Sequence, residues 1–86
     1  MVTQEKMIEW INNQEFFWLY DLKVAMGYVH IPYQTKSNPT ETFIHNFMNK
    51  LKKKGYVQCI ENKGCQKRYY RAYTIKLPLI NQQQNA

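Results

Sequence analysis

The sequence predicts a small α+β domain in which three helices are followed by a C-terminal β-hairpin. Three segments carry apolar residues at helical spacing, and residues 57–75 change to an alternating pattern interrupted by a turn. The chain has 86 residues, of which 44% are hydrophobic and 21% charged, a balance typical of one globular core. We therefore expect a single domain over residues 1–80 and a disordered polar tail over residues 81–86.

The first helix is predicted by a capping residue and by apolar spacing. Thr3 can accept hydrogen bonds from the first free amides, and Met7, Ile8 and Ile11 then share one face. The aromatic run at residues 16–20 could open as a short strand. Residues 21–26, which precede Gly27, nevertheless favour a short second helix. Its inward-pointing side chains would be Leu19, Leu22, Ala25 and Met26.

The third helix has the clearest start and stop signals. Asn38 can serve as N-cap, Pro39 suits the first helical position, and Glu41 complements the helix dipole. Gly55 should end the helix, because glycine tolerates a left-handed backbone. The apolar stripe comprises Ile44, Phe47, Met48 and Leu51. The connection from Gly27 to Ser37 is longer than the short turn that usually joins two packed helices.

A β-hairpin is predicted after Gly55. With residues 63–66 at its tip, Cys59 would lie opposite Tyr70 and Val57 opposite Ala72, on the face that covers the helices. A shift of one residue would exchange the inner and outer side chains.

The net charge of +6 is distributed unevenly along the chain. Residues 1–49 carry three lysines against five acidic residues, whereas residues 50–76 carry nine basic residues against Glu61 alone. This asymmetry indicates a polyanionic partner, although lysines at a helix end also complement the helix dipole.

The segment Asn49-Lys50-Leu51-Lys52-Lys53-Lys54-Gly55-Tyr56-Val57 resembles the end of the recognition helix and the entry to the wing in winged helix transcription regulators. Lys67-Arg68-Tyr69-Tyr70-Arg71-Ala72 is similar to the second wing strand of PadR-like regulators. The resemblance covers about half of the chain and implies a winged helix-turn-helix fold with a C-terminal β-hairpin wing.

The resemblance also implies how the chain would bind duplex DNA. The recognition helix would enter the major groove, with Asn46 as the best base reader because a carboxamide can bond adenine in bidentate fashion. The base-contact candidates are Thr40, Thr42, His45, Asn46 and Asn49. The phosphate-contact candidates are Lys50, Lys53, Lys63, Lys67 and Arg68. An ordinary solvated helix face is the alternative interpretation of the polar residues.

The cysteines, histidines and aromatic residues admit further interpretations. Cys59 and Cys65 lack the spacing of zinc-binding pairs, so we expect no metal and no cofactor. A disulfide between them is an alternative to the favoured arrangement of a buried Cys59 and an exposed Cys65. The aromatic run around Trp18 could stack bases of single-stranded nucleic acid, but core packing is favoured.

Two functional hypotheses follow. The first is a sequence-specific regulator that binds double-stranded DNA as a homodimer through half-sites, with helix 1 or residues 77–80 at the dimer interface. The second is a winged-helix protein-interaction module, such as a small viral or plasmid inhibitor, that contacts a protein partner through residues 28–33. No catalytic motif is present, so we expect no enzyme. The absence of a long apolar run or leader pattern favours a cytoplasmic protein, at the nucleoid or in a host cell, with no membrane partner.

Overall fold

A computed structural model describes residues 2–28, 39–64 and 66–82. The elements run in the order α1 (Gln4–Asn12), β1 (Phe16–Trp18), α2 (Leu19–Ala25), α3 (Pro39–Lys54), β2 (Val57–Lys63) and β3 (Gln66–Arg71). The three strands form an antiparallel sheet in the order β1-β3-β2. The predicted α+β class with three helices and a hairpin is confirmed, and a third strand is added. None of the helices in the described residues is both long and apolar enough to cross a bilayer.

Helix α1 forms as its sequence predicts. The Thr3 hydroxyl accepts a hydrogen bond from the Lys6 amide at 3.2 Å, which satisfies one of the free donors of the first turn. Met7 and Ile11, four residues apart, are fully buried. The helix therefore contributes a narrow apolar stripe to the core.

The aromatic run after α1 divides into a strand and a helix start. Phe16–Trp18 is a strand paired with β3, and only Phe17 of its side chains is buried. Phe16 is 44% exposed and Tyr20 is 60% exposed. The expectation that this aromatic run packs as a block in the core is wrong for these two side chains. Alternation along β1 turns Phe16 outward, and Tyr20 lies on the exposed side of α2 next to the buried Leu19.

Helix α2 is short and ends before Gly27, whose φ of 92° lies in the left-handed region. Leu19 and Leu22 are buried as predicted, and Met26 is partly buried against the core. Ala25 is exposed, so its predicted inward orientation is wrong. At 100° per residue, Ala25 lies about 120° around the helix axis from the buried Leu19, which places it beyond the edge of the buried face.

Helix α3 is the longest element and carries four buried apolar residues. Ile44, Phe47, Met48 and Leu51 face the core, which confirms the predicted stripe. The helix begins at Pro39 and ends before Gly55, whose φ is 86°. The predicted N-cap Asn38 and the connection at residues 29–37 lie outside the described residues.

The hairpin contains a bulge that shifts its register. Near the tip Lys63 pairs with Gln66 and Glu61 with Arg68, which is the predicted register. Beyond the irregularity between Cys59 and Glu61 the pairing moves by one residue. The predicted pairing of Cys59 with Tyr70 and Val57 with Ala72 is therefore wrong, since their actual partners are Tyr69 and Arg71.

The bulge determines which side chains of the hairpin enter the core. Val57 and Tyr69 are buried on the face that meets the helices, whereas Ile60, the extra residue, is exposed. Phe17 of β1 stacks on Tyr69 with ring centroids 5.7 Å apart. The inner face of the sheet and the three helices thus share one core, which among the described residues contains no buried polar or charged side chain.

The segment after β3 returns across the helices. The Ala72 and Tyr73 amides donate to the Tyr56 carbonyl, and the side chain of Ile75 is buried. Further along, the Ile80 amide donates to the Tyr56 hydroxyl and the Gln82 amide donates to the Lys54 carbonyl at 2.6 Å. The expected tail at residues 81–86 is described only as far as Gln82.

Candidate nucleic-acid interface

The solvent side of α3 presents a polar stripe opposite the buried one. Thr42, Asn46 and Asn49 recur at spacings of four and three residues and are all exposed. Lys50 and Lys53 are exposed on the same side of the helix. The structure thus brings together three of the predicted base-contact residues and two of the predicted phosphate-contact residues.

Thr40 and His45 do not belong to this stripe. Thr40 lies four residues before Ile44 and seven before Phe47, so the helical period places it on the core side, where it is half-buried. His45 lies on the flank that contains Glu41, with its Nε2 atom 3.7 Å from Glu41 Oε1. Within the described part of the chain, that buried nitrogen has no hydrogen-bond partner. Neither residue shares the orientation of Asn46.

An ion pair fixes the start of α3 to α2. Lys23 Nζ donates to Glu41 Oε1 at 3.0 Å, and the Lys23 side chain is largely buried. The hydrogen bond and charge of Lys23 lower the pKa of Glu41, which keeps the carboxylate ionised. Sequence reasoning assigned Glu41 to capping and missed Lys23, because an ion pair between separate helices leaves no local spacing signal.

The same charges act on His45. Burial lowers the pKa of His45, the positive charges of Lys23 and Lys67 lower it further, and the Glu41 carboxylate opposes them. The imidazole is therefore held in its neutral form near neutral pH. A neutral ring beside Glu41 adds no positive charge to the surface.

A basic groove runs along the second half of α3. It has a volume of about 630 Å³ and is lined by Asn49, Lys50, Lys53, Lys54 and Asn81. Three ammonium groups beside one concave surface favour an anionic ligand. Sequence reasoning missed Lys54 and Asn81. Asn81 carries no sequence signal, because it reaches α3 only through the return of the C-terminal segment.

The hairpin separates the remaining phosphate-contact candidates. Lys63 is exposed near the tip, whereas Lys67 and Arg68 are half-buried and point to opposite faces of the sheet. Lys67 lies on the face of Tyr69, toward the helices, which agrees with its effect on His45. Arg68 lies on the outer face, where its Nη1 atom is 3.9 Å from Glu61 Oε1.

The described residues also bear on the predictions about metal binding and the cysteines. No group of three or more His, Cys, Asp and Glu side chains there is arranged to hold a metal ion. Cys59 is a free thiol that donates to the Glu61 carbonyl at 3.3 Å, and Cys65 lies outside the described residues.

No family model, curated protein or solved structure matches this chain.

Proposed function

We propose that this chain is a winged helix domain that binds duplex DNA, with α3 in the major groove and the β2–β3 hairpin as the wing. The observation that carries the proposal is the exposed stripe of Thr42, Asn46 and Asn49 with Lys50 and Lys53 beside it. Carboxamide and hydroxyl groups can bond base edges, and ammonium groups can neutralise phosphates.

The order of the elements supports the winged helix assignment. A strand lies between the first two helices and pairs with β3, so that the sheet order is β1-β3-β2. Helix α3 leads directly into the hairpin through Gly55. In this arrangement one covalent connection sets the position of the wing relative to the recognition helix.

Phosphate contacts are proposed on both sides of α3. Lys50 and Lys53, with Lys54 in the same groove, would neutralise one backbone, and Lys63 and Lys67 of the hairpin would neutralise another. Thr40 and His45 are left out of the base-reading set because of their positions on the helix. Arg68 faces away from the helices and contributes least to this surface.

A homodimer is proposed through the C-terminal segment. Leu77 is 45% exposed and Ile80 is 61% exposed. Both are aliphatic side chains on a segment held by hydrogen bonds from the Ile80 amide to the Tyr56 hydroxyl and from the Gln82 amide to the Lys54 carbonyl. Trp10 is the weaker choice for this interface, because its ring packs edge-on against Phe17 with centroids 5.7 Å apart. Two copies would let the protein read two half-sites and act as a transcription regulator.

The experiment is a fluorescence anisotropy titration of the protein against random and selected duplex DNA at low and physiological salt. Selective binding that persists at physiological salt supports the proposal and identifies the site. Binding that disappears with salt and selects no sequence would contradict base reading. It would favour the alternative of a protein-interaction module, whose predicted contact at residues 28–33 lies outside the described residues except for Tyr28.

A further inference from the structure

The outer face of the sheet carries aromatic side chains that no core covers. Phe16 and Trp18 of β1 alternate with the buried Phe17, so they point away from the helices. Phe16 pairs with Tyr70, and their ring centroids are 5.2 Å apart. Three aromatic rings therefore share the surface opposite the helical layer.

Arg68 lies among these rings. Its Cζ atom is 5.2 Å from the centroid of Phe16 and 5.6 Å from that of Trp18. These distances are within the range of cation–π attraction, and they hold the guanidinium group beside both rings. We call Phe16, Trp18, Arg68 and Tyr70 the outer platform.

A groove continues the outer platform toward the hairpin tip. It has a volume of about 530 Å³ and is lined by Trp18, Tyr20, Asp21, Gln66 and Lys67. Tyr20 contributes a fourth aromatic ring, 60% exposed, and Lys67 contributes a positive charge. The groove thus combines two aromatic rings with one basic side chain, Lys67, and one acidic side chain, Asp21.

We propose that the outer platform binds single-stranded nucleic acid by stacking its bases on Phe16, Trp18 and Tyr70. Every base has a π-face, so exposed rings accept bases with little regard to sequence. The planar guanidinium of Arg68 can stack on a base and also attract a phosphate. Lys67, which leaves the sheet on the helix side but lines the groove beside Trp18, and Lys63 at the hairpin tip would follow the strand backbone.

Charge favours a nucleic acid over a second copy of this chain. A twofold interface places the same patch on both subunits, so Arg68 and its flanking lysines would approach their own copies. The acidic partner near Arg68 is Glu61, which is already paired with it. A polyanion is attracted to the same surface, because its phosphates can pair with Arg68 and the lysines.

The outer platform is separate from the proposed duplex interface. Phe16, Trp18 and Arg68 lie on the sheet face that points away from the helices, whereas the α3 stripe belongs to the helical layer. Single-strand binding can therefore be present whether or not α3 binds duplex DNA. Lys63 and Lys67 are assigned to both surfaces, so the two activities are separated by substitutions at Phe16 and Arg68 on one side and at Asn46 on α3 on the other.

The test uses a labelled deoxythymidine oligonucleotide of about ten nucleotides, in the range of known single-strand sites. Its anisotropy is titrated with wild-type protein and with the Phe16→Ala and Arg68→Lys variants. Phe43→Ala is the matched control, since Phe43 is 38% exposed but lies on α3. Circular dichroism checks that each variant is folded. A Trp10→Phe background leaves Trp18 as the only tryptophan, so that its fluorescence reports stacking.

We expect the oligonucleotide to quench Trp18 fluorescence and Phe16→Ala to weaken binding about tenfold. Arg68→Lys should also weaken binding although the charge is kept, because an ammonium group cannot stack. Phe43→Ala should bind like wild type. Binding without quenching that neither variant weakens would overturn the proposal, since phosphate attraction alone would explain it. Absence of binding would also overturn it, as would self-association that Phe16→Ala abolishes, which would make the surface a protein interface.

Discussion

The side chain of Asn12 makes two hydrogen bonds to the backbone of Ile75. Asn12 Nδ2 donates to the Ile75 carbonyl at 3.0 Å, and the Ile75 amide donates to Asn12 Oδ1 at 2.9 Å. A carboxamide satisfies both groups of one residue in the manner of a neighbouring β-strand. This pair joins the end of α1 to the C-terminal segment and seats the Ile75 side chain in the core.

Replacing Asn12 with alanine should lower the free energy of unfolding by about 2 kcal/mol, because two partly buried backbone groups lose their partners. Urea denaturation followed by circular dichroism measures the change. Asn13→Ala is the control, since Asn13 Nδ2 makes one exposed hydrogen bond to the Glu9 carbonyl and its loss should cost roughly 0.5 kcal/mol. Equal effects of the two substitutions would contradict the structural role of Asn12.

Acidification should destabilise the protein in two steps. The pKa of His45 is lowered from 6.5 by burial and by Lys23 and Lys67, so the unfolded chain binds a proton more readily and stability falls as pH drops below 6.5. The pKa of Glu41 is lowered from 4.5 by the hydrogen bond from Lys23, so a second loss begins below 4.5.

Thermal unfolding at a series of pH values checks both steps. His45→Gln should remove the decline that begins at pH 6.5 and keep the one below pH 4.5, whereas Glu41→Gln should weaken the lower step. The idea fails if His45→Gln leaves the melting temperature with the same dependence on pH as wild type.

Asn46→Ala should mainly relax base preference. On the selected duplex, affinity should fall by about 1–3 kcal/mol, because a bidentate contact to one base is lost. On random duplex, affinity should hardly change. Parallel anisotropy titrations on the two duplexes measure the difference. A uniform loss on every sequence would show that Asn46 does not read bases.

The double substitution of Lys50 and Lys53 by alanine should flatten the salt dependence of duplex binding. Each lysine that neutralises a phosphate contributes about 0.9 to the slope of log K against log salt, so the slope should decrease by about 2. Titrations at several salt concentrations give the slope. Lys76→Ala is the control, because Lys76 is an exposed lysine outside the α3 groove. An unchanged slope in the double variant would exclude phosphate contacts at these positions.

Ile80→Asp should weaken the proposed homodimer about tenfold or more, because a carboxylate would enter an apolar contact. Sedimentation equilibrium measures the dissociation constant. Val24→Asp is the matched control, since Val24 on α2 is 49% exposed and lies outside the C-terminal segment. A dimer that tolerates Ile80→Asp but not Val24→Asp would place the interface on α2.

Local signals predicted the helices well and the sheet only in part. Capping by Thr3, the stripe on α3 and the left-handed Gly55 depend on neighbours within four residues, so the sequence carries them directly. The aromatic run allows a strand at β1, but its sequence favours a helix over the residues that follow. Its three residues are stabilised by pairing with β3 residues that lie 50 to 54 positions further along the chain. Such a partner leaves no mark on the spacing of Phe16 to Trp18.

The hairpin shows how one extra residue changes which residues pair across the two strands. The predicted pairing holds from Glu61 to the tip, and the extra residue Ile60 shifts everything before it. A bulge has no fixed sequence signature, so alternation alone could not reveal it. The candidate binding surfaces also divide into one that a local pattern predicts and one that depends on distant pairing. The stripe of Thr42, Asn46 and Asn49 is a helical pattern, whereas the outer platform depends on β1 pairing with β3.

The hydrogen bonds between Asn12 and Ile75 connect residues 63 positions apart, which has a consequence during synthesis. At the usual rate of translation, Asn12 is added to the chain roughly 3–13 s before Ile75. Throughout that interval the side of α1 that receives Ile75 is uncovered. A nascent chain of this protein therefore cannot cover that side of its first helix until Ile75 has been made and has packed against it.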